Sequence, residues 1–313
     1  MARIKNLHKQ IFSQGISWFL VLMSISLVLT ACTAEWQPEE SVEYVVDDLG
    51  RSVAINGTPQ RIVSIAPSNT EILFALGLGE KLVGVTDWCD YPPEALEKEK
   101  VGAYDTPDIE KIDALNPDLI LAAHGTPIDV IDTLEGLGLT VFGIKSTDLD
   151  DLLNDIRTVG NITGKKAEAN ALTSEMESRI EAVTDETSEL KERPSVFYMV
   201  WHDPLWTAGS ETFIHELIEK AGGVNICQNI TGYTTISIEE VVARNPEVII
   251  TSEWSFEWAQ NETLLQGLNA SQSGRIYQGD DNLVQRPGPR LVDGLEWFAY
   301  FIHPEIFEEP EGS

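Results

Sequence analysis

One pattern of hydrophobic and polar positions occurs twice in the chain, as a short amphipathic helix followed by a buried strand. Residues 109–121 and 238–250 share six identities in thirteen positions. Asp108 or Ser237 can cap the helix, and each helix must end before its Asn-Pro pair because the residue before a proline is pushed out of the helical conformation. The continuous apolar run that follows is typical of a parallel strand covered on both faces. The duplication predicts two similar lobes with a cleft between them.

The flanking segments fit the same α/β plan. Alternation around a turn at residues 48–51 predicts an edge hairpin, and short apolar runs bounded by turn residues predict further strands. A segment rich in Ala, Glu, Lys and Leu predicts one long, stiff helix that ends at Arg193-Pro194. The predicted fold class is therefore α/β, with two Rossmann-like lobes joined by one long helix. The N-terminal lobe, the connecting helix and the C-terminal lobe are expected at residues 44–147, 148–194 and 195–313.

The first part of the chain predicts export and attachment to a membrane. Three Lys or Arg residues precede an apolar segment, residues 16–29, which is short for a bilayer span but suits the core of a signal peptide. Small residues then precede Cys32, as in the lipobox of bacterial lipoproteins, so Cys32 is the expected lipidation site. Residues 1–31 are predicted to be the signal peptide and residues 32–43 a tether. The protein is thus expected at the outer face of the cytoplasmic membrane or in the periplasm.

The acidic composition excludes one class of partner. The chain has a formal charge of −30 at pH 7, and the phosphates of nucleic acids repel such a protein. Its apolar content is too high for a disordered protein, and its length is sufficient for two cores. Beyond Cys32 only Cys89 and Cys227 remain. A disulfide between them is possible in an oxidising compartment, although it would have to link two different lobes.

Candidate ligand-binding residues follow the carboxyl ends of predicted strands, where open α/β sheets bind ligands. Trp88 lies in such a loop after the strand at residues 82–85. An aromatic loop, residues 201–210, follows the strand that begins the C-terminal lobe. A glycine-rich segment, residues 160–166, lacks both the spacing and the hydroxyl residue of a phosphate-binding loop. The sequence therefore favours an aromatic cleft over a nucleotide site.

An ordered set of short motifs resembles the helical-backbone substrate-binding lipoproteins of ABC importers for vitamin B12, ferric siderophores and haem. The resemblance covers nearly all of residues 45–303 and is more specific for the family than for the ligand. It implies a monomeric, non-catalytic receptor that delivers its ligand to a permease dimer with ATPase subunits. The motifs are Asn69-Thr70-Glu71, Asp90-Tyr91-Pro92-Pro93, Asn116-Pro117-Asp118, Thr207-Ala208-Gly209, residues 222–226 and Asn245-Pro246.

Within this family, the cobalamin-binding members have the most similar cleft residues. Two positions depart from their pattern. Ala123 followed by His124 stands where they have a tryptophan after the first repeat strand, and Asn282 stands where they have an aspartate. By its motif positions, the resemblance implies ligand contacts from Trp88, Tyr104, Trp206, Tyr233 and Arg286.

The chemistry of these residues favours a corrinoid, with two alternatives open. A wide, flat, largely neutral macrocycle fringed with amides is best held by aromatic faces and a few polar groups. Anionic ferric siderophores call for clusters of basic residues, and the predicted cleft loops offer mainly Arg286 and Arg290. Haem requires an axial ligand, for which His124 or His202 could serve.

Glu110 and Glu239 occupy the same position in the two repeats, one turn inside a helix start. The helix dipole favours a carboxylate there, which is a sufficient structural explanation. The resemblance implies a function as well, because one glutamate of each lobe would dock onto arginines of the two membrane subunits. Matched charges on two lobes suit a two-fold partner.

A metal-ion binder or metalloenzyme is the rival class. The histidines are spread along the chain without ligand spacing, and neither a paired-cysteine motif nor a Gly-x-Ser-x-Gly motif occurs. The sequence therefore predicts no enzyme activity, no metal site and no cofactor, with cobalamin as a transported ligand only.

Overall fold

The computed structural model describes residues 42–310. The predicted signal peptide, Cys32 and nearly all of the predicted tether lie outside these residues. The described chain opens with the predicted antiparallel hairpin, which forms a two-stranded sheet of its own rather than the edge of a lobe's sheet. Its strands are β1 Val42–Val46 and β2 Ser52–Asn56.

The N-terminal lobe contains a five-stranded parallel sheet. Its strands are β3 Ile62–Ser64, β4 Leu82–Val85, β5 Glu99–Lys100, β6 Leu119–Ala123 and β7 Val141–Ile144. Its helices are α1 Pro67–Ala75, α2 Ile109–Ala114 and α3 Ile128–Gly136, with short 3-10 turns at Gly79–Lys81 and Pro93–Glu97. The strand order is β5-β4-β3-β6-β7. Leu119 and Leu121 pack into one hydrophobic cluster and Ile120 into another, so both faces of the sheet are covered.

The connection between the lobes consists of two helices, so the predicted single long helix is wrong. They are α4 Leu149–Ile162 and α5 Lys166–Ser188. Gly164, in the turn between them, has a φ of 73°, and Arg157 of α4 pairs with Glu177 of α5, which shows that the chain reverses direction. Gly160 permits this close approach, because a Cβ there would lie 2.3 Å from the Cβ of Ala169. The connector is therefore an antiparallel helical hairpin.

The C-terminal lobe combines parallel and antiparallel strands in one sheet. Its strands are β8 Ser195–His202, β9 Leu205–Ala208, β10 Val224–Asn225, β11 Tyr233–Thr235, β12 Val248–Thr251 and β13 Ile276–Gln278. Its helices are α6 Phe213–Lys220, α7 Ile238–Arg244, α8 Phe256–Asn261, α9 Asn269–Gln272, α10 Asp281–Val284 and α11 Leu291–Ile302, with a 3-10 turn at Glu253–Ser255. The order is β11-β9-β8-β12-β13, and β10 pairs with β8. In this sheet the pairs β8–β9 and β9–β11 are antiparallel, and the other pairs are parallel.

The duplicated sequence forms the same local structure in both lobes. Asp108 accepts a hydrogen bond from the backbone N–H of Lys111 at 3.0 Å, and Ser237 accepts one from Glu240 at 3.2 Å. Both are N-caps, as the sequence predicts. After each helix the asparagine of the Asn-Pro pair has a positive φ, and the chain enters β6 or β12.

Both cysteines of the described chain are buried free thiols, so the possible disulfide is absent. Cys89 belongs to the large hydrophobic cluster that extends through both lobes, whereas Cys227 belongs to a cluster within the C-terminal lobe. Cys89 follows β4 and Cys227 follows β10, so their predicted placement in different lobes is correct. Between residues 42 and 310, no helix has the length and apolar character needed to cross a membrane.

Candidate ligand-binding cleft

A recess of about 250 Å³ lies between the two lobes. The N-terminal lobe lines it with the start of α1 and the segments after β6 and β7, and the C-terminal lobe lines it with the loop between α10 and α11. The carboxyl ends of parallel strands are where open α/β sheets bind ligands, so this recess is the candidate site. Its lining includes Asn69, Tyr104, His124, Ser146, Gln285 and Arg286.

The N-terminal lobe presents its aromatic side chains from loops. Trp88 is 63% exposed in the loop after β4, and Tyr104 is 45% exposed before α2, in the wall of the recess. The Trp88 loop is anchored by the neighbouring Cys89, whose Sγ accepts a hydrogen bond from the Thr70 hydroxyl at 3.1 Å. Large apolar side chains held at the surface by a buried neighbour are a feature of binding surfaces.

The C-terminal lobe presents its aromatic side chains from antiparallel strands. Trp201 of β8 is paired with Trp206 of β9, which is paired with Thr235 of β11. Since paired residues and alternate residues of one strand share a face, Trp201, Trp206 and Tyr233 lie on the same face of the sheet. Each of these three rings is about 40% exposed. Trp201 is not among the predicted contacts, because the face of a residue at a strand end depends on its pairing.

Tyr233 is held as a neutral phenol. Burial raises the pKa of its hydroxyl to about 12, and the nearby Asp281 carboxylate adds to the shift. Asp281 itself accepts a hydrogen bond from the Tyr198 hydroxyl at 2.9 Å. A neutral phenol can both donate and accept a hydrogen bond. This face of the sheet therefore combines apolar rings with an uncharged polar group.

The two histidines considered as metal ligands lie in different places. His124 is exposed in the wall of the recess. His202 instead stacks between Trp201 and Trp258, with ring centroids 4.8 and 5.4 Å away, and faces a separate surface depression. Among the residues described, no group of three or more His, Cys, Asp or Glu side chains could hold a metal ion.

Asn282 is not brought into the recess. It lines a second depression of the C-terminal lobe, together with Glu253, Trp297 and Phe301. The reason is local, because Asn282 lies in the first turn of the short helix α10, while the loop that reaches the recess begins only at Gln285. Trp88, Trp206 and Tyr233 are likewise not in the lining of the recess, so the ligand contacts of all four residues stay predictions.

Arg286 lines the recess, but its guanidinium is engaged with the N-terminal lobe. It donates to Asp90 Oδ1 at 2.6 Å, and this hydrogen bond holds the pKa of Asp90 below its ordinary value. Arg290, the other cation expected near the cleft, donates to Glu71. Because both guanidinium groups already have carboxylate partners, the recess offers little free positive charge to an anion.

Glu110 and Glu239 lie exposed in the first turns of α2 and α7, one in each lobe. Within residues 42–310 neither carboxylate takes part in an ion pair, in contrast to Glu240, which pairs with Arg244. Both glutamates are therefore accessible to a partner.

Two α/β lobes with a recess between them and exposed aromatic side chains on each lobe define a two-lobed solute-binding protein. Residues 62–283 match the periplasmic binding protein family, and the chain belongs to that family.

Relatives of this chain include an ABC transporter substrate-binding lipoprotein and vitamin B12-binding proteins. YvrC of Bacillus subtilis, an uncharacterized ABC transporter substrate-binding lipoprotein, is 33% identical over 87% of this chain and 90% of its own. A vitamin B12-binding protein of Vibrio cholerae is 33% identical over 78% of this chain and 89% of its own.

Solved structures of similar proteins confirm the two-lobed α/β class. The periplasmic vitamin B12 binding protein BtuF of Vibrio cholerae has a TM-score of 0.70 at 31% identity, over 79% of this chain and 97% of its own. The periplasmic heme-binding protein RhuT from Roseiflexus has a TM-score of 0.71 at 27% identity, over 79% and 99%.

Proposed function

We propose that this protein is the substrate-binding lipoprotein of an ABC importer and that its cleft captures a corrinoid. The observation that carries the proposal is the exposure of aromatic rings on both lobes, together with a recess between the lobes that contains Tyr104 and whose cations are already paired. Such a site suits a flat, neutral macrocycle, which gains from contact with aromatic faces and does not need a counter-charge. The vitamin B12-binding relatives support this assignment.

The polar groups near the recess also suit the carboxamides that surround a corrin ring. Asn69 and Gln285, both in the lining of the recess, carry uncharged groups that can donate or accept hydrogen bonds. An anionic siderophore would instead have to displace Asp90 from Arg286, or Glu71 from Arg290. That competition makes a strongly charged ligand the less suitable occupant.

Titration with cyanocobalamin tests the ligand. The protein used should lack residues 1–32, since the described residues 42–310 belong to one compact unit. Calorimetry should give 1:1 binding with a Kd at or below the micromolar range, about −8 kcal/mol, and tryptophan fluorescence should be quenched. Haem and a ferric siderophore are the matched comparisons. A folded protein that binds either of these and not cyanocobalamin would overturn the corrinoid assignment.

Haem is the second candidate because His124 is exposed in the recess wall. An imidazole at this position could serve as an axial ligand of the iron. If haem is the ligand, its absorption spectrum should show histidine coordination that is lost in His124→Ala. The His202→Ala variant is the control, because His202 lies outside the recess.

We infer that Glu110 and Glu239 dock onto the permease. The double variant Glu110→Arg and Glu239→Arg should abolish uptake in cells while the purified protein keeps its ligand affinity. The matched control is Glu175→Arg with Glu181→Arg, which makes the same charge change at exposed positions of α5. Loss of affinity in the docking variant, or normal uptake, would contradict this role.

We further infer that Cys32 carries the lipid anchor. The Cys32→Ser variant should not become labelled with a fatty-acid analogue and should leave the membrane fraction. A variant that remains both labelled and membrane-bound would refute the assignment.

A further inference from the structure

Two arginines cross from the C-terminal lobe to the N-terminal lobe beside the recess. Arg290 donates through Nε to Glu71 Oε2 at 2.9 Å and through Nη2 to Glu71 Oε1 at 2.6 Å. Glu71 belongs to α1, and its side chain is only 2% exposed. The contact is therefore a buried, two-pronged ion pair between lobes, in the geometry that fixes orientation most strongly.

Neighbouring groups reinforce this ion pair. The Arg290 guanidinium carbon lies 3.7 Å from the centre of the Tyr91 ring. Arg286 reaches Asp90 at 2.6 Å and lies 3.5 Å from Glu71 Oε1. These contacts connect the loop before α11 to both α1 and the loop after β4.

The same loop separates two surface recesses. Gln285, Arg286 and Pro287 line the candidate cleft, whereas Pro289 and Arg290 line a depression on the other side, together with Glu71. The ion pair thus lies in the wall that bounds the cleft. Gly288 lies against the buried carboxylate, since a Cβ there would be 3.2 Å from Glu71 Oε2.

We propose that Glu71 and Arg290 form an inter-lobe clamp that fixes the width of the cleft. Separation of the lobes would break both charge-assisted hydrogen bonds of this pair, so the pair resists separation. Glu71 and Arg290 are then positioning residues, because they hold Arg286 and the aromatic rings of the two lobes at the spacing that the ligand requires. The ligand-binding part of this inference rests on the proposed function, whereas the clamp itself does not.

The test uses Glu71→Gln and Arg290→Lys, which keep the size of each side chain but remove the charge or the two-pronged geometry. Spin labels on Asp132→Cys and Thr263→Cys, exposed positions in the two lobes, report the distance between them. Cys89 and Cys227 are buried and should not react with the label. Both clamp variants should give a broader distance distribution, and Glu71→Gln should weaken cyanocobalamin binding by about tenfold or more.

Arg179→Gln is the matched control. Arg179 of α5 also makes a two-pronged ion pair, with Glu296 at 2.8 and 2.6 Å, but it lies between the connector and α11 rather than beside the cleft. It should lower the Tm without changing the distance distribution or the affinity. If Glu71→Gln behaves like Arg179→Gln, the pair has only a structural role and the clamp is refuted.

This experiment can refute the ligand assignment and the clamp independently. A wild-type protein that does not bind cyanocobalamin refutes the ligand assignment, while the distances, measured without ligand, still test the clamp. A narrow distribution in both clamp variants refutes the clamp whatever the ligand is.

Discussion

The two lobes share one repeated unit but hold their exposed aromatic residues in different ways. In the N-terminal lobe, where every neighbouring pair of strands in the sheet is parallel, Trp88 and Tyr104 lie in loops. In the C-terminal lobe, two added antiparallel strands hold Trp206 and Tyr233 in a hydrogen-bonded sheet. A ring held by cross-strand pairing loses less freedom when a ligand binds than a ring in a loop. One scaffold can therefore hold some aromatic side chains rigidly, in a sheet, and others adaptably, in loops.

The largest expected effect is on binding. Trp206→Ala should weaken cyanocobalamin binding by about 2 to 3 kcal/mol, roughly 100-fold, because it removes a fixed aromatic face. Trp88→Ala should cost only about 1 kcal/mol, since ordering a loop residue offsets part of its contact energy. Calorimetry on both variants measures the difference. Trp254→Ala is the control, because that exposed ring lines the separate depression next to His202. Equal losses of binding free energy in Trp88→Ala and Trp206→Ala would show that the two lobes do not differ in how rigidly they hold these rings.

The next effect concerns the connector between the lobes. Gly160→Ala should lower the free energy of unfolding by about 2 kcal/mol, because the new Cβ would overlap Ala169 and force α4 and α5 apart. Gly136→Ala, at the end of α3, has no atom within 4 Å of the added methyl group and should be neutral or slightly stabilising. Urea unfolding distinguishes the two. A tolerated Gly160→Ala would show that the helices can separate at little cost.

The connector also contains a pH-dependent group on its N-terminal-lobe side. Burial raises the pKa of Asp155 in α4 to about 7, and the neighbouring Asp48 and Asp151 carboxylates contribute. Because the folded state binds this proton more tightly, the stabilisation is full below about pH 4 and is lost as the pH rises through 7. The loss should be about 1 to 2 kcal/mol after allowance for partial hydration of the group.

Replacing Asp155 tests the predicted loss of stability as the pH rises. Asp155→Asn should flatten the decline in stability between pH 4 and 8, measured by urea unfolding, while its side chain can still accept from the Ser146 hydroxyl. Asp150→Asn, at an exposed position of the same helix, is the control and should leave the decline in place. A decline that survives in Asp155→Asn would assign it to other groups.

The smallest predicted losses in the free energy of unfolding should be equal in the two lobes. Asp108→Ala and Ser237→Ala each remove an N-cap from a repeat helix, and each should cost about 1 kcal/mol. Matched losses in urea unfolding would show that the repeated unit contributes equally on both sides. A twofold difference would show that the lobes differ in more than their aromatic walls.

The sequence predicts local features better than contacts between distant segments. The repeated helix and strand, with their caps and Asn-Pro stops, follow from neighbouring residues and are correct. The single connecting helix is wrong, because helix periodicity does not reveal that Gly160 and Gly164 allow the chain to reverse. The pairing of Glu71 with Arg290 links residues 219 positions apart, and no local pattern indicates it.

The candidate site shows the same difference between local features and contacts of distant segments. Trp88, Tyr104, Trp206 and Tyr233 stay exposed in the structure, but only Tyr104 of the four lines the recess, because position depends on how strands and loops pack. Trp201 becomes a candidate only when the register of β8 and β9 is known. The placement of Asn282 outside the recess likewise depends on where α10 ends, which composition does not determine.

The two buried thiols give each lobe its own chemical reporter. Cys89 and Cys227 have no measurable exposure, and burial raises the pKa of the Cys227 thiol, which further slows its reaction. A thiol reagent can therefore modify each one only when the surrounding lobe opens transiently. In protein without Cys32, the two modification rates would measure the opening free energy of each lobe separately, with no introduced label.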